Sequence, residues 1–243
     1  MPRFALGIGL GHQAPVEGAF GVPYDRPIRH LRDYLLALRS LLDTGTAVVR
    51  GATVTADLSG VPAAALRGGV APRVPLLVAA MGPQALRAAG ELADGTLPYL
   101  AGPRSLASLI VPAISAAAAA AGRPAPRIAA GVPASVTSHP ERAKAHAFQA
   151  LGGYARNPSY QAVLDREGIK HPAELALIGD EETVAAGIRR YLDAGATDVR
   201  VSPAAFATDD ERLRTWQLVG QLARGNVTGG GAFTVTDPSV RST

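Results

Sequence analysis

Apolar residues recur along the chain in two alternating patterns. Residues 74–81 are a continuous apolar run, as is typical of a strand buried on both faces of a parallel sheet. Residues 180–194 instead carry apolar positions at helical spacing, with Asp180 as the N-cap and Gly195 after the end. The two patterns alternate, and they predict strands at 4–9, 74–81, 96–100, 127–137 and 197–202. Helices are predicted at 27–44, 83–93, 106–121, from 140 onward, and at 154–168, 180–194 and 208–224.

This alternation predicts βαβ units and therefore an α/β fold with a parallel sheet. A closed (β/α)8 TIM barrel and an open doubly wound sheet both satisfy it. We expect one domain over residues 1–224, with a helical insertion at about 154–179 and two short β-like pieces at 47–49 and 53–55. Residues 10–24 are expected to be a loop, and the Gly-, Thr- and Ser-rich residues 225–243 a disordered tail.

Composition is that of a globular protein, with 47% hydrophobic and 18% charged residues. The net charge is +4, but the arginines are scattered, so no nucleic-acid partner is predicted. The absence of cysteine excludes disulfides and cysteine nucleophiles. No signal peptide is evident at the N-terminus. Residues 105–122 are mostly alanine and contain Pro112, which favours a packed helix over a membrane span and a cytoplasmic location.

Several motifs occur in a shared order: Arg3-Phe4-Ala5-Leu6-Gly7-Ile8-Gly9, Leu77-Val78-Ala79-Ala80-Met81-Gly82-Pro83, Ala93-Asp94-Gly95-Thr96-Leu97-Pro98, Ala121-Gly122-Arg123-Pro124, Pro158-Ser159-Tyr160 and Leu164-Asp165-Arg166-Glu167-Gly168. With this order the chain resembles the luciferase-like monooxygenase family, and in particular its branch that uses the deazaflavin coenzyme F420. The resemblance runs over about residues 3–201. It implies a (β/α)8 TIM barrel, and it places the strand at 4–9 as the fourth of that barrel.

The resemblance therefore implies an incomplete barrel, with strands 4–8 present and strands 1–3 missing. Five strands cannot close an eight-stranded barrel, because strand number, tilt and stagger are linked. The strands at 4–9 and 197–202 are then expected to be unpaired sheet edges. We expect residues 1–243 on their own to aggregate or to form a homodimer through these edges, and to bind cofactor poorly.

Ligands of a TIM barrel bind at the carboxyl ends of its strands. Gly82-Pro83 follows such an end and opens a helix, and free N–H groups at a helix start can hold a phosphate. A plain strand-to-helix turn is the alternative for this pair. The resemblance implies contact with the phosphate-bearing tail of the cofactor. The residues expected to bind the cofactor are Gly9, Ala79, Ala80, Met81, Gly82, Pro83 and Thr96.

Other residues carry weaker signals. Gly7, Gly9 and Gly11 match half of a dinucleotide-binding fingerprint, but with Pro15 and Gly18 downstream no helix is expected after them. His12 follows the first strand and is the candidate catalytic residue, as a hydrogen-bond donor or general acid. An exposed loop histidine is the alternative.

The insertion could cover the pocket through Tyr154, Tyr160 and Asp165, or pack on itself. No spacing of histidines and carboxylates indicates a metal site. No Ser-His-Asp order indicates a hydrolase.

These observations lead to one main hypothesis, hydride transfer between reduced coenzyme F420 and a small organic substrate. An FMN-dependent luciferase-like monooxygenase is the first alternative, because the same barrel serves both cofactors. A non-catalytic truncated remnant is the second.

Overall fold

The computed structural model describes residues 4–60, 68–71, 73–203, 206–225 and 234–235. Its strands are β1 (Leu6–Gly9), β2 (Val48–Arg50), β3 (Thr55–Asp57), β4 (Leu76–Ala79), β5 (Gly95–Thr96), β6 (Arg127–Val136), β7 (Leu177–Gly179), β8 (Asp198–Pro203) and β9 (Thr234–Val235). Its α-helices are α1 (Gln13–Phe20), α2 (Pro27–Thr44), α3 (Pro83–Leu92), α4 (Pro103–Ser105), α5 (Val111–Ala120), α6 (Pro140–Leu151), α7 (Pro158–Glu167), α8 (Glu181–Asp193) and α9 (Asp209–Gly225). The chain divides into two compact units, unit 1 (Met1–Thr96 and Ala113–Pro126) and unit 2 (Leu97–Pro112 and Arg127–Thr243).

Unit 1 contains three parallel strands with β4 between β1 and β5. Leu76 and Val78 of β4 have no exposed surface, which explains the continuous apolar run around them. β2 and β3 form a separate antiparallel hairpin. The predicted strands at 4–9 and 74–81 are confirmed, and so are the two short β-like pieces, each shifted by one or two residues.

Helix α2 shows how the sequence sets local structure in unit 1. It begins at Pro27, ends before Gly45 with that glycine at φ 82°, and buries Leu31 and Leu35. The amino-terminal end of β4 is tied to this helix by Asp94, which accepts the Leu76 N–H at 2.8 Å and binds Arg39 at 2.6 Å. Three arginines in all form ion pairs with this carboxylate, and the pair with Arg39 links β4 to α2.

Unit 2 is built around β6, whose residues after Arg127 are all buried. β8 runs parallel to β6 from Ala129 to Ala134 of that strand, and β7 pairs with its last three residues. Helices α8 and α9 pack on this sheet and cover the buried Val199 and Val201. The predicted strands at 127–137 and 197–202 and the helices at 180–194 and 208–224 are confirmed.

The predicted loop over 10–24 is wrong in part, because α1 occupies Gln13–Phe20. Pro15 is the third residue of this helix, where the missing N–H would have no helical partner in any case. Gly11 and Gly21 flank the helix at φ 69° and 65°, so glycines allow both turns.

The count of five strands is also wrong. The predicted insertion at about 154–179 is helical through the 3-10 turn Pro172–Leu175, but its last three residues form β7. Three residues are too short for a strand pattern to show in the sequence, and β7 exists because it pairs with the end of β6.

The strand at 197–202 was expected to be an unpaired sheet edge, but part of it is paired. Arg200 and Val201 of β8 pair with Thr234 and Val235 of β9. β9 also lies inside the segment predicted to be disordered, most of which is outside the described residues. Within unit 1, β1 pairs with β4, its one partner among the strands described.

The helix predicted at 106–121 is confirmed, with an irregular first half. Leu106–Ile110 is a π-helical turn in which the Val111 N–H bonds to the Leu106 carbonyl, directly before Pro112, which has no N–H to donate. In the part of the chain described, Pro103–Ala120 is the one helix whose length and composition would suffice to cross a membrane, and 28% of it is buried. Core helices of globular proteins pass the same test.

Candidate functional site

The predicted cofactor residues come together in unit 1 at the carboxyl ends of β1 and β4. Gly9 lies beside Ala79 across the strand pair, and a Cβ on Gly9 would lie 3.0 Å from that of Ala79. Ala79 is exposed, whereas Ala80 is buried and Met81 is half-buried. Small side chains therefore leave the backbone open at this edge, which suits a ligand that approaches closely.

The start of α3 completes this edge. Gly82 is the N-cap, in an extended conformation (φ −83°, ψ 152°), and the space beside it is open, because a Cβ at this position would meet no atom within 4 Å. Pro83 is the first helical residue, the first turn contains no acidic residue, and no side chain caps the helix. The N–H groups of Gln84 and Ala85 therefore have neither a helical partner nor a side-chain cap, and they lie at the positive end of the helix dipole.

Thr96 has a different place from the other predicted residues. Its side chain has no exposed surface, and its hydroxyl lies 2.8 Å from the Val78 carbonyl and 3.0 Å from the Ala80 carbonyl. The hydroxyl donates to these oxygens and so holds the end of β4 in position. Thr96 thereby supports the edge from behind, and direct contact with a cofactor stays a prediction.

His12, the candidate catalytic residue, is the N-cap of α1 and is exposed. It makes no capping hydrogen bond through its side chain, while its carbonyl accepts the Val16 N–H at 3.0 Å. Nearby, the Tyr24 hydroxyl donates to the Gly11 carbonyl at 3.2 Å, and burial raises the pKa of that phenol. This hydrogen bond ties the loop after β1 to Tyr24, and a catalytic role of His12 stays a prediction.

Sequence reasoning missed a cavity of about 400 Å³ beside this loop in unit 1. It is mostly apolar, with a few polar groups, as small-molecule sites often are. Its lining consists of Ile8, Gly9, Leu10, Val16, Val22, Pro23, Tyr24, Asp25, Pro27, His30, Leu31 and Tyr34. The sequence feature that could have indicated this cavity is the pair His30 and Tyr34. Aromatic residues one helical turn apart share a helix face, and the two ring centroids lie 6.4 Å apart.

In unit 2 the insertion packs on itself and against Tyr99. The Tyr154 ring lies 4.9 Å from that of Tyr160 and 5.7 Å from that of Tyr99. Burial, with a smaller contribution from Tyr154, raises the pKa of Tyr99 to about 12, so this phenol is neutral in the physiological range. Asp165 is exposed on α7 and does not join the aromatic rings. Across the described ranges, no three His, Asp or Glu side chains meet as metal ligands.

A sequence model of the luciferase-like monooxygenases matches residues 2–198. The chain belongs to the luciferase-like monooxygenase family. It is 31% identical over 178 residues to the 5,10-methylenetetrahydromethanopterin reductase of Methanolobus tindarius. That similarity covers 73% of the chain and 52% of the reductase, so the chain spans about half the length of this curated relative. The resemblance predicted from the motifs is confirmed.

Solved structures of luciferase-like enzymes share the fold. The coenzyme F420 dependent tetrahydromethanopterin reductase of Methanopyrus kandleri superposes with a TM-score of 0.68 at 23% identity, over 89% of the chain and 72% of that enzyme. The oxygenating constituent of 3,6-diketocamphane monooxygenase from Pseudomonas putida, in complex with FMN, gives 0.61 at 18% identity, over 88% of the chain and 68% of that protein. The α/β fold is thus of the luciferase-like TIM-barrel type, which decides between the two parallel architectures.

Proposed function

We propose that this member of the family is an oxidoreductase that transfers a hydride between reduced coenzyme F420 and a small organic substrate. The observation that carries the proposal is the uncapped start of α3 at the carboxyl end of β4, beside the small residues Gly9 and Ala79. The names of the relatives support the choice of cofactor, since one similar structure is an F420-dependent reductase.

The residues present at this edge fit the phosphate-bearing tail of such a cofactor. The N–H groups of Gln84 and Ala85 can donate to phosphate oxygens, and the first turn of α3 holds no carboxylate that would repel them. Gly82 keeps the approach open because it has no side chain. When bound, the deazaflavin supplies the hydride chemistry, and the protein supplies binding and orientation.

His12 would serve this reaction as a hydrogen-bond donor or proton source to the substrate, because it lies at the carboxyl end of β1. Replacing His12→Asn keeps a side chain that can cap α1, so folding should be preserved. We expect turnover to fall by about 100-fold, the usual contribution of a positioned acid. Steady-state kinetics with an unchanged melting temperature would support the role, and unchanged turnover would contradict it.

The cofactor itself is tested by titrating the purified chain separately with F420 and with FMN while the fluorescence of each cofactor is followed. We expect saturable binding of F420 that inorganic phosphate weakens, because phosphate competes for the α3 start. FMN should bind more weakly. Tight FMN binding without an F420 response would contradict the proposal and support an FMN-dependent monooxygenase, and binding of neither cofactor would support a non-catalytic chain.

A further inference from the structure

A cluster in unit 2 that the proposed function does not use combines a cation with aromatic rings. Tyr99, Gly131 and Arg200 are neighbours across adjacent strand segments: Tyr99 bridges to Gly131, and Gly131 pairs with Arg200. Residues paired in this way point to the same face of a sheet. The two side chains therefore stand on either side of a residue that has none.

Gly131 is what allows them to approach each other. A Cβ at this position would lie 2.8 Å from Arg200 Nη2 and 2.9 Å from Tyr99 Cδ2, so both side chains lean over the glycine. The guanidinium carbon of Arg200 lies 6.0 Å from the centroid of the Tyr99 ring, at the outer limit of a cation–π contact. The Tyr154 ring packs 5.7 Å from that of Tyr99 and extends the aromatic wall.

The charge of Arg200 has no counter-ion among the residues described. Its Nε is buried and makes no hydrogen bond. Asp198, two residues earlier on the same strand, is engaged elsewhere, since both of its oxygens accept hydrogen bonds from Arg127 at 2.7 Å. A buried Nε that has lost water without gaining a hydrogen-bond acceptor is costly.

We propose that Arg200, Tyr99 and Tyr154 form a binding site for a small organic carboxylate with an apolar body. The planar guanidinium presents paired N–H donors that match the two oxygens of a carboxylate. The rings of Tyr99 and Tyr154 offer apolar faces to the rest of the ligand. This site goes beyond the proposed redox function and does not depend on a bound cofactor.

Isothermal titration calorimetry of the full chain, without cofactor, tests the site with three probes: benzoate, its neutral analogue benzamide, and inorganic phosphate. Benzoate should bind about tenfold more tightly than benzamide, because only benzoate pairs with Arg200. Phosphate should displace benzoate only weakly, because it has no surface for the rings. Equal affinities for benzoate and benzamide, full displacement of benzoate by an equimolar amount of phosphate, or no binding of benzoate would each overturn the proposal.

Variants locate the binding on the cluster. Arg200→Met keeps the length of the side chain and should lower benzoate affinity by about tenfold while leaving benzamide unchanged. Arg189→Met removes the same charge from an exposed position on α8 and should leave all affinities unchanged. Equal losses in the two variants would overturn the assignment. Should Arg200→Met fail to fold, as judged by circular dichroism, the comparison of the three probes on the unaltered chain still decides.

Discussion

The helix starts of the two units differ in what satisfies their free N–H groups. In unit 1, α3 begins at Gly82 with no capping side chain and no acidic residue in its first turn. In unit 2, α8 begins at Asp180, whose carboxylate accepts the Thr183 N–H at 2.9 Å, and continues with Glu181 and Glu182. Both helices follow a short parallel strand. The start of α3 is thus open to an anion, whereas the start of α8 already has carboxylates from its own side chains.

The difference extends to neighbouring helices. In unit 1, α1 and α2 begin at His12 and Arg26, neither of which caps its helix through the side chain. In unit 2, α9 begins with a reciprocal pair, in which Glu211 accepts the Thr208 N–H at 2.8 Å and Thr208 accepts the Glu211 N–H at 3.3 Å. Even the short α4 receives a carboxylate from a distance, because the Ser105 N–H donates to Glu167 at 2.6 Å.

Acidic side chains thus stabilise the starts of α4, α8 and α9 in unit 2, whereas the starts of α1, α2 and α3 in unit 1 have no capping side chain. A good side-chain cap contributes about 1 kcal/mol to the stability of a helix. A helix whose first N–H groups are uncapped lacks part of this contribution. A phosphate bound at the same groups would restore it. The open starts of unit 1 are therefore the places where ligand binding and stability should be coupled.

The largest effect should come from closing the α3 start. Gly82→Asp places a carboxylate at the N-cap, and the extended backbone and open space at Gly82 accept a side chain without strain. The new charge would cap the helix and repel a phosphate a few ångströms away, by about 3 kcal/mol or about 100-fold in affinity. Fluorescence titration should show this loss of F420 binding while the melting temperature stays the same or rises.

Gly82→Asn is the matched control, since it caps the helix equally well without a charge. It should lose much less affinity than Gly82→Asp. If both variants bind F420 as the unaltered chain does, the α3 start is not the phosphate site.

The second effect concerns Glu211 and stability in acid. Burial raises the pKa of Glu211, but hydrogen bonds outweigh it and lower the pKa from 4.5 to about 2. The donors are the Thr137 hydroxyl, the Thr208 N–H and Arg142. A lowered pKa in the folded state means that the contribution is complete above pH 4.5 and is lost as the pH falls toward 2.

Denaturant unfolding between pH 7 and pH 2 would measure this contribution, which we expect to be at most about 3 kcal/mol. The free energy of unfolding of Glu211→Gln should be lower at pH 7 by that amount, and the gap to the unaltered chain should close on acidification. A constant gap across this range would contradict the assigned hydrogen bonds.

The smallest effect should come from Asp180. Asp180→Ala removes the cap of α8 and should lower the melting temperature by a few degrees, with F420 affinity unchanged. Hydrogen bonds to Thr183 hold the pKa of Asp180 below its usual range, so the difference from the alanine variant should shrink in acid. Asp180→Asn should retain most of the stability. A loss of F420 affinity in Asp180→Ala would mean that the two helix starts do not have separate roles.

Most elements were predictable because their signals are local. The start of α2 at Pro27 and its end at Gly45 depend on residues within one helical turn, and so does the cap of α8 at Asp180. The buried run in β4 shows directly in the sequence. β7 and α1 were not predictable in this way, because β7 forms by pairing with β6 and α1 contains a proline that only its exact position makes harmless.

Part of the candidate site was likewise predictable from the sequence, and part was not. Gly82-Pro83 stands out in the sequence as a strand-to-helix junction, and the structure places it at an open edge. The support by Thr96 and the cavity beside α2 were invisible, because they depend on which backbone carbonyls and which side chains meet across the chain.

Patterns within a few residues of one another were enough to predict the alternation of strands and helices and the junction at which we expect a phosphate to bind, and the order of the motifs along the chain was enough to predict the family. Which charges remain without partners was settled in three dimensions: folding joined Arg127 to Asp198 across 71 positions of the chain and left Arg200 beside the Tyr99 ring. The two kinds of information differ because the energy of a charge depends on its distance to other charges in space, which no local pattern specifies.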